Sequence, residues 1–351
     1  MREPLHKTLI IRFSSVGDIV LSSLLVRVLR QRFPHIQIDY LVKSEFAELV
    51  RHNPHVSHVA EFPNNGTFAE LVALRKEVSA AQYDLIIDIH DGLRSRFLCT
   101  GLANVVRLRK RKLARFFLVN FKWDVYTRFG GAPSVAERYL EPLMPFGVVD
   151  DGKGLELHLP AAATAIAGKT LQDSGIRDGI DIVGVCPSAK HNTKIWLKER
   201  YAEAATTLAV PFNAAVALFG SPDDEQRCAE IKEMIRAKNP ELSVANLAGK
   251  FSLLETAAAM DRCSVVMTND SGLMHIAAAR HRKTVAIFGS TVREFGFFPF
   301  GTESIVVENN ELGCRPCTHI GRSACPKGHF KCMNDIPTSR VVESALNLLA
   351  S

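Results

Sequence analysis

Three short stretches of this 351-residue chain carry side chains whose types and spacing suit chemistry on a phosphorylated ligand. The most informative is SVVMTNDSGLMHIAAARHRKTVAIFGST, residues 264–291. There Asp270, Ser271 and Gly272 close an apolar, β-branched run and open a short helical one, with His275 one turn on. Such a strand-to-helix turn leaves the first N–H groups of the helix unpaired, and the helix dipole favours an anion such as a phosphate there. Gly272 would let the backbone come close to it. The same residues admit a plainer reading, with Asp270 as a cap and His275 as a hydrogen-bonded interior imidazole. In the second stretch, PSAKHNTK, Lys190 and Lys194 lie where a loop leaves a strand end. They are placed to meet a diphosphate as point charges, or simply to be solvated. The third is the turn SSVGD. Asp18 there suits a helix cap, and it also stands at the strand end from which ligands of open α/β sheets are reached.

These groups need elements to position them, and the hydrophobic pattern supplies them. Apolar runs bounded by polar turns predict strands at 8–13, 37–42, 58–62, 85–89 and 105–108, with helices at 18–33, 45–52, 67–81 and 93–102 between them. Such alternation predicts a parallel sheet wrapped by helices. Glycines, prolines and alanines accumulate over 145–179 around a short strand at 155–159, which marks a passage between domains. The pattern then restarts, with strands at 180–185, 214–219, 264–268 and 284–288 and helices at 196–208, 273–280 and 338–350. Ser221 with Asp224, and Ser252 with Glu255, have the spacing of capping boxes. Asp224 or Glu225 can also accept hydrogen bonds from ribose hydroxyls. The first loop, 14–17, has one glycine where a dinucleotide fingerprint needs three, which argues against NAD.

Composition narrows the class. With 47% hydrophobic and 23% charged residues the chain reads as soluble and globular, long enough for two domains. No apolar run reaches the roughly 18 residues of a membrane span, and the first 13 residues have too short an apolar core for a signal peptide, so a cytoplasmic protein is expected. The net charge is +6, and residues 1–150 hold 21 basic against 15 acidic side chains, so the surplus lies in that half. Much of it is RLRKRKLAR, residues 107–115, followed at once by Phe116, Phe117, Phe121 and Trp123. This is either a solvated face or a surface for a phosphorylated amphiphile or a membrane interface. Cys314, Cys317, Cys325 and Cys332 form a C-x2-C-x7-C-x6-C array with His319 and His329 close in sequence, while Cys99, Cys186, Cys228 and Cys263 are scattered. In a reducing compartment the array favours a structural Zn²⁺ over disulfides.

Taken together, RFSSVGDIVLSSLLVRVLR, KIWLKERYAE, NDSGLMHIAAA with TVAIFGST, and the tail CMNDIPTSRVV resemble the ADP-heptose:lipopolysaccharide heptosyltransferases of glycosyltransferase family 9. The resemblance spans nearly the whole chain. It implies an α/β GT-B architecture: two Rossmann-like domains with parallel sheets facing across a cleft. Residues 1–165 would bind the acceptor and 166–335 the nucleotide-sugar, with a helix at 336–351 crossing back to the first domain. By the same resemblance Asp18 is the general base and Lys194 contacts donor phosphates. Asp270, Ser271, Gly272 and His275 form the donor turn, and Asp224 falls where an acid can hold the adenosine ribose. Some members have hydroxyl residues shortly before the lysine, where this chain has Ala189 and Lys190.

The implied reaction is an inverting transfer of heptose from ADP-heptose to a lipid A-Kdo inner-core acceptor of lipopolysaccharide. It would need no cofactor for catalysis, and the chain has no Asp-x-Asp to hold Mg²⁺. The half assigned to the acceptor contains Arg107, Arg109, Lys110, Arg111 and Lys112, which suit an anionic acceptor and a peripheral position on the cytoplasmic face of the inner membrane. One alternative keeps the fold but changes the nucleotide-sugar or glycan. Another, a zinc-containing nucleic-acid-binding protein, is disfavoured because the basic run and the cysteines are about 200 residues apart and no recognition module is legible.

Overall fold

The computed structural model describes residues 5–128 and 131–351. It divides into two compact units, the first ending at Arg111 and resuming over Val135–His158, the second comprising Lys112–Ser134 and Leu159–Ser351. In the first unit the β-branched runs become β1 (Lys7–Ile11), β2 (Gln37–Lys43), β3 (His58–Phe62), β4 (Leu85–Asp88) and β5 (Val105–Arg107). They pair in parallel in the order β3-β2-β1-β4-β5. Leu9, Ile11, Phe13, Leu41, Phe62, Ile86 and Leu98 build one side of its core. Each such side chain contributes about 1.5–3 kcal/mol by leaving water.

The second unit repeats the design with β6 (Ile182–Cys186), β7 (Ala215–Leu218), β8 (Val244–Asn246), β9 (Cys263–Asn269), β10 (Thr284–Phe288) and β11 (Ser304–Glu308). Its order is β11-β10-β9-β6-β7-β8, again with every pairing parallel. In both sheets the strand order reverses at a central pair, β1/β4 in one and β9/β6 in the other. The carboxyl edge at such a reversal is where open α/β sheets bind ligands. Asp18 follows β1, Lys194 follows β6 and Asp270 follows β9.

Several elements depart from the sequence pattern. The helix expected over 18–33 is two, Val16–Leu21 and Ser23–Arg32. Between them Ser22 Oγ donates to the Ile19 carbonyl at 2.7 Å and lies 2.7 Å from the Tyr40 hydroxyl. The stretch 155–159, expected as a strand, forms no regular element and joins no sheet. Leu155 and Leu157 are buried as alternation predicts, yet the residue between them, Glu156, meets Arg27 and Ser23 of a helix, which offers no ladder. A helix at Ala161–Asp173 and the strands β8 and β11 were not expected; β8 has only three residues.

The grouping of the chain differs too. The first unit ends at His158 rather than 165, and residues 112–134 belong to the second, where Leu118 and Tyr126 pack with Val292 and Phe295. The last helix, Thr338–Ala350, is part of the second unit. Its apolar stripe of Val341, Val342, Ala345 and Leu348 enters the second unit's core, against the helix Lys198–Ala209 and β9–β11. Among the described residues no helix is long and apolar enough to cross a membrane.

Candidate active-site residues

At the carboxyl edge of β1, Asp18 lies in the first turn of Val16–Leu21, and both of its oxygens are engaged. Oδ1 is 2.6 Å from Arg12 Nη2 and accepts from the Tyr139 hydroxyl at 3.2 Å. Oδ2 accepts from the Ser15 N–H at 3.2 Å and the Ser15 hydroxyl at 3.0 Å. The capping reading is therefore correct as local structure, but a cap alone needs neither the arginine nor the tyrosine. Burial would raise the carboxyl pKa; the Arg12 charge and the Ser15 hydrogen bonds outweigh it and hold Asp18 below its usual range. Arg12 is itself aimed by donating from Nη1 to the Ile89 carbonyl at 2.7 Å. His90, at the end of β4, stays neutral at physiological pH, because burial, with Arg12 and Lys110 nearby, pushes it down to about 4.

The second unit's edge is built around Lys194. Trp196 is fully buried, donates from its indole to the Ile336 carbonyl at 3.2 Å and meets Tyr201 edge to face at 5.0 Å. Its backbone N–H donates to Asn269 Oδ1 at 3.1 Å, which ties the loop to the end of β9. On the other side Thr193 is buried, with Ser290 Oγ 2.9 Å from its hydroxyl and the Ser290 N–H bonded to its carbonyl at 3.2 Å. A Cβ at Gly289 would stand 2.8 Å from that carbonyl, so only glycine admits the approach. Held on both flanks, Lys194 places Nζ 2.7 Å from Asp270 Oδ2, which also accepts from the Thr291 hydroxyl at 2.7 Å.

Ser271 and Gly272 then open the helix Gly272–Ala279 from extended backbone. His275 is buried one turn in, its ring 6.3 Å from that of Phe297. Asp224 stands apart on the loop after β7. Its Oδ2 accepts from the Ser221 N–H at 2.8 Å and hydroxyl at 2.7 Å, which is the expected capping box. A Cβ on Gly220 would lie 2.7 Å from Asp224 Cβ, so glycine is required for this turn as well. Thus the structure brings Lys194 and Asp270 together, places Ser271 and Gly272 beside them, and leaves Asp224 at the end of β7, one strand from Lys194 and two from Asp270. Sequence reasoning did not find Arg12, Ser15, Tyr139, Thr193, Asn269 or Thr291. Each is an ordinary residue whose role exists only once distant segments meet.

The basic run is less free than its composition suggests. Arg107 lies 3.5 Å from buried Asp88, Lys110 donates to the Asp91 carbonyl at 2.8 Å, and Arg111 pairs with Glu141 at 2.8 Å. Arg109 and Lys112 are exposed. The helix Lys112–Phe121 buries Leu118, yet carries a second apolar face, with Leu113, Phe116 and Phe121 exposed by 74, 52 and 52% and nearby Trp123 by 63%. The ring centroids of Phe117 and Trp123 are 6.0 Å apart in a stacked pair.

In the tail, Cys314, Cys317, Cys325 and Cys332 form no disulfide with one another, and burial pushes Cys332 up to about 11. Cys314 Sγ lies 3.9 Å from His329 Nε2. The donor types suit zinc, but among the described residues no three of these side chains come within metal-sharing distance of one another.

A model of the family described as glycosyltransferase family 9 (heptosyltransferase) matches residues 71–327. Lipooligosaccharide heptosyltransferase 2 of Haemophilus influenzae is 33% identical over 297 residues, covering 82% of this chain and 84% of that protein. Among solved structures, a family 9 glycosyl transferase from Veillonella parvula superposes with a TM-score of 0.81 at 22% identity, covering 100% of this chain and 99% of that one. The Escherichia coli ADP-heptose lps heptosyltransferase II gives 0.72 at 23% identity over 98% of each chain. The structural likenesses show the fold, the two parallel α/β sheets of the GT-B class.

Proposed function

This chain belongs to glycosyltransferase family 9, and from that premise we propose that it moves heptose from ADP-heptose to the inner core of lipopolysaccharide with inversion at the sugar carbon. The observation that carries the mechanism is the pair of engaged edges, a carboxylate at β1 and an ammonium at β6/β9.

Asp18 acts as the general base. Its lowered pKa makes it a weak base that is ionised at neutral pH. A weak base suffices where the sugar carbon has largely parted from its leaving group before the attacking hydroxyl gives up its proton. Arg12 and Tyr139 fix Oδ1, and an acceptor hydroxyl donates to a remaining lone pair of the carboxylate. On the other unit Lys194, oriented by Asp270, meets the charge that develops on the departing ADP, and the N–H groups at Ser271 and Gly272 share it. His275 supports that turn from within. Asp224, whose hydrogen bonds from Ser221 both go to Oδ2, offers Oδ1 to the ribose.

Arg107, Arg109, Lys110, Arg111 and Lys112 form the anionic acceptor's binding run. The exposed Leu113, Phe116, Phe121 and Trp123 beside cationic Lys112 and Arg115 have the composition of a surface that rests on anionic lipid. This supports a peripheral position on the inner membrane. The tail cysteines are a structural zinc site on this reading, with ligation requiring them to draw closer.

The test is a transfer assay with purified protein, a lipid A-Kdo acceptor and a panel of nucleotide-sugars, run with and without anionic vesicles. Turnover is expected with ADP-heptose above the rest, with co-sedimentation on the vesicles that Trp123→Ser with Phe116→Ser abolishes. Faster turnover of another nucleotide-sugar would replace the donor assignment, and vesicle binding unchanged in the variant would remove the lipid-facing role.

A further inference from the structure

A third cluster of chemically capable side chains lies in the first unit and takes no part in the transfer. His55 sits in the loop that enters β3, and Glu156 and His158 belong to the irregular run that ends the unit. The strands are parallel, so the entrance to β3 is on the opposite edge of the sheet from Asp18.

The geometry is specific. Both imidazoles direct Nε2 at a single carboxylate oxygen, Glu156 Oε1, at 3.7 Å from His55 and 3.2 Å from His158. One ligand atom from each residue lies within 4.8 Å of the other two. His158 Nε2 is buried and makes no aligned hydrogen bond despite that short separation. The rings meet edge to face with centroids 6.1 Å apart. The Glu156 N–H donates to Ser23 Oγ at 3.0 Å, which anchors the residue by its backbone. Arg27 Nη1 takes the other oxygen, Oε2, at 3.1 Å, and Asn53 Nδ2 donates to Oε1 at 3.3 Å. Arg27 is otherwise committed to both oxygens of Asp151 at 2.8 and 2.9 Å and to the Gly154 carbonyl at 2.7 Å, so its charge is balanced within the cluster.

We propose that His55, Glu156 and His158 form a binding site for a divalent transition-metal ion, with Zn²⁺ the best fit and water as the fourth ligand. Ligands held about 2.0–2.1 Å from a tetrahedral zinc stand roughly 3.4 Å from one another, and the separations of 3.2 and 3.7 Å bracket that value. Two imidazoles and one carboxylate suit zinc and its neighbours, whereas Mg²⁺ and Ca²⁺ prefer oxygen ligands. Asp151 and Glu156 balance Arg27 and Arg30, whose Nη2 donates to the His55 carbonyl at 2.9 Å, so the cluster is close to neutral before the cation enters. The ion ties the run that leaves the unit to the loop ahead of β3, and so stabilises the first unit.

Cobalt titration of the full, chelator-treated chain reads this site separately from the cysteines, because thiolate ligation adds intense charge-transfer absorption and nitrogen/oxygen ligation does not. The wild type is expected to show a nitrogen/oxygen-bound Co²⁺ and a melting temperature that rises with Zn²⁺. His158→Ala, and independently His55→Gln, should weaken that Co²⁺ by about tenfold or more and abolish the Zn²⁺-dependent rise. Any thiolate signal should remain. Absence of the nitrogen/oxygen class in the wild type, or its survival in both variants, would mean a hydrogen-bonded trio and overturn the site.

Discussion

The carboxyl edges of the two sheets solve one problem with opposite signs. In the first unit a carboxylate, Asp18, is held 2.6 Å from a guanidinium, Arg12; in the second an ammonium, Lys194, is held 2.7 Å from a carboxylate, Asp270. Each pair has a hydroxyl as a third member, Tyr139 on Asp18 and Thr291 on Asp270. Ion pairs this enclosed gain little net stability, because desolvation offsets most of the attraction. Their use is orientation, which converts a mobile charge into a fixed one. The difference lies in what the partner does to reactivity. Arg12 lowers the proton affinity of Asp18, whereas Asp270 partly cancels the positive charge of Lys194.

Breaking the first pair at its working member should have the largest effect. Asp18 is the third helical residue in a capping box with Ser15, and Asp18→Asn keeps an oxygen that can accept from the Ser15 N–H but cannot take a proton. Turnover should fall by about a hundredfold or more while ADP affinity and melting temperature stay near wild type. A variant with near wild-type turnover would leave Asp18 only a cap. The pH profile sharpens the point: Asp18 is held below the usual carboxylate value of 3.8, so the acid limb of kcat/KM should lie below it. Arg12→Gln should move that limb upward, because burial is then no longer offset by the Arg12 charge. An unmoved limb would separate Arg12 from the base.

The two edges were not equally legible in the sequence. The donor turn could be read because strand, turn, helix and strand follow one another within 264–291, and local pattern fixes local geometry. Its lysine partner, 76 residues earlier, could not be paired with Asp270 from spacing, since the contact depends on Trp196 being buried and on Gly289 admitting the Thr193 carbonyl. At the other edge only Asp18 was visible; Tyr139 arrives from a helix, Val135–Leu140, that no pattern announced. The strand misread at 155–159 had the right alternation and the wrong neighbour. Periodicity reports which side chains turn inward, not what lies opposite them. The basic run misled in a related way, because sequence counts charges but does not show that three of those five side chains have partners in the fold.

An intermediate effect is expected from the second pair's working member. Lys194→Ala removes a charge-assisted contact to phosphate, worth about 1.5–3 kcal/mol, and should weaken ADP binding by roughly tenfold or more in calorimetry. Turnover at saturating donor should fall as well, since the leaving charge is then met by the helix terminus alone. An unchanged dissociation constant for ADP would remove Lys194 from the phosphate site and reduce its contact with Asp270 to a structural one.

The smallest change, and the most discriminating, is expected at Asp270. Asn there can still accept from Lys194 and from Thr291, so the local hydrogen bonds survive and only the charge is lost. Two consequences oppose each other. Lys194 is aimed less firmly, which weakens ADP binding, while a negative charge near the phosphates disappears, which strengthens it. In the wild-type background Asp270→Asn should therefore leave ADP affinity within about threefold. In a Lys194→Ala background nothing remains to be aimed, and only the relieved repulsion is felt, so the same substitution should tighten ADP. A double-mutant cycle read by calorimetry measures the difference between the two backgrounds. An effect of equal size and sign in both would mean that Asp270 does not act through Lys194, and that the opposite-sign likeness of the two edges is a coincidence of geometry.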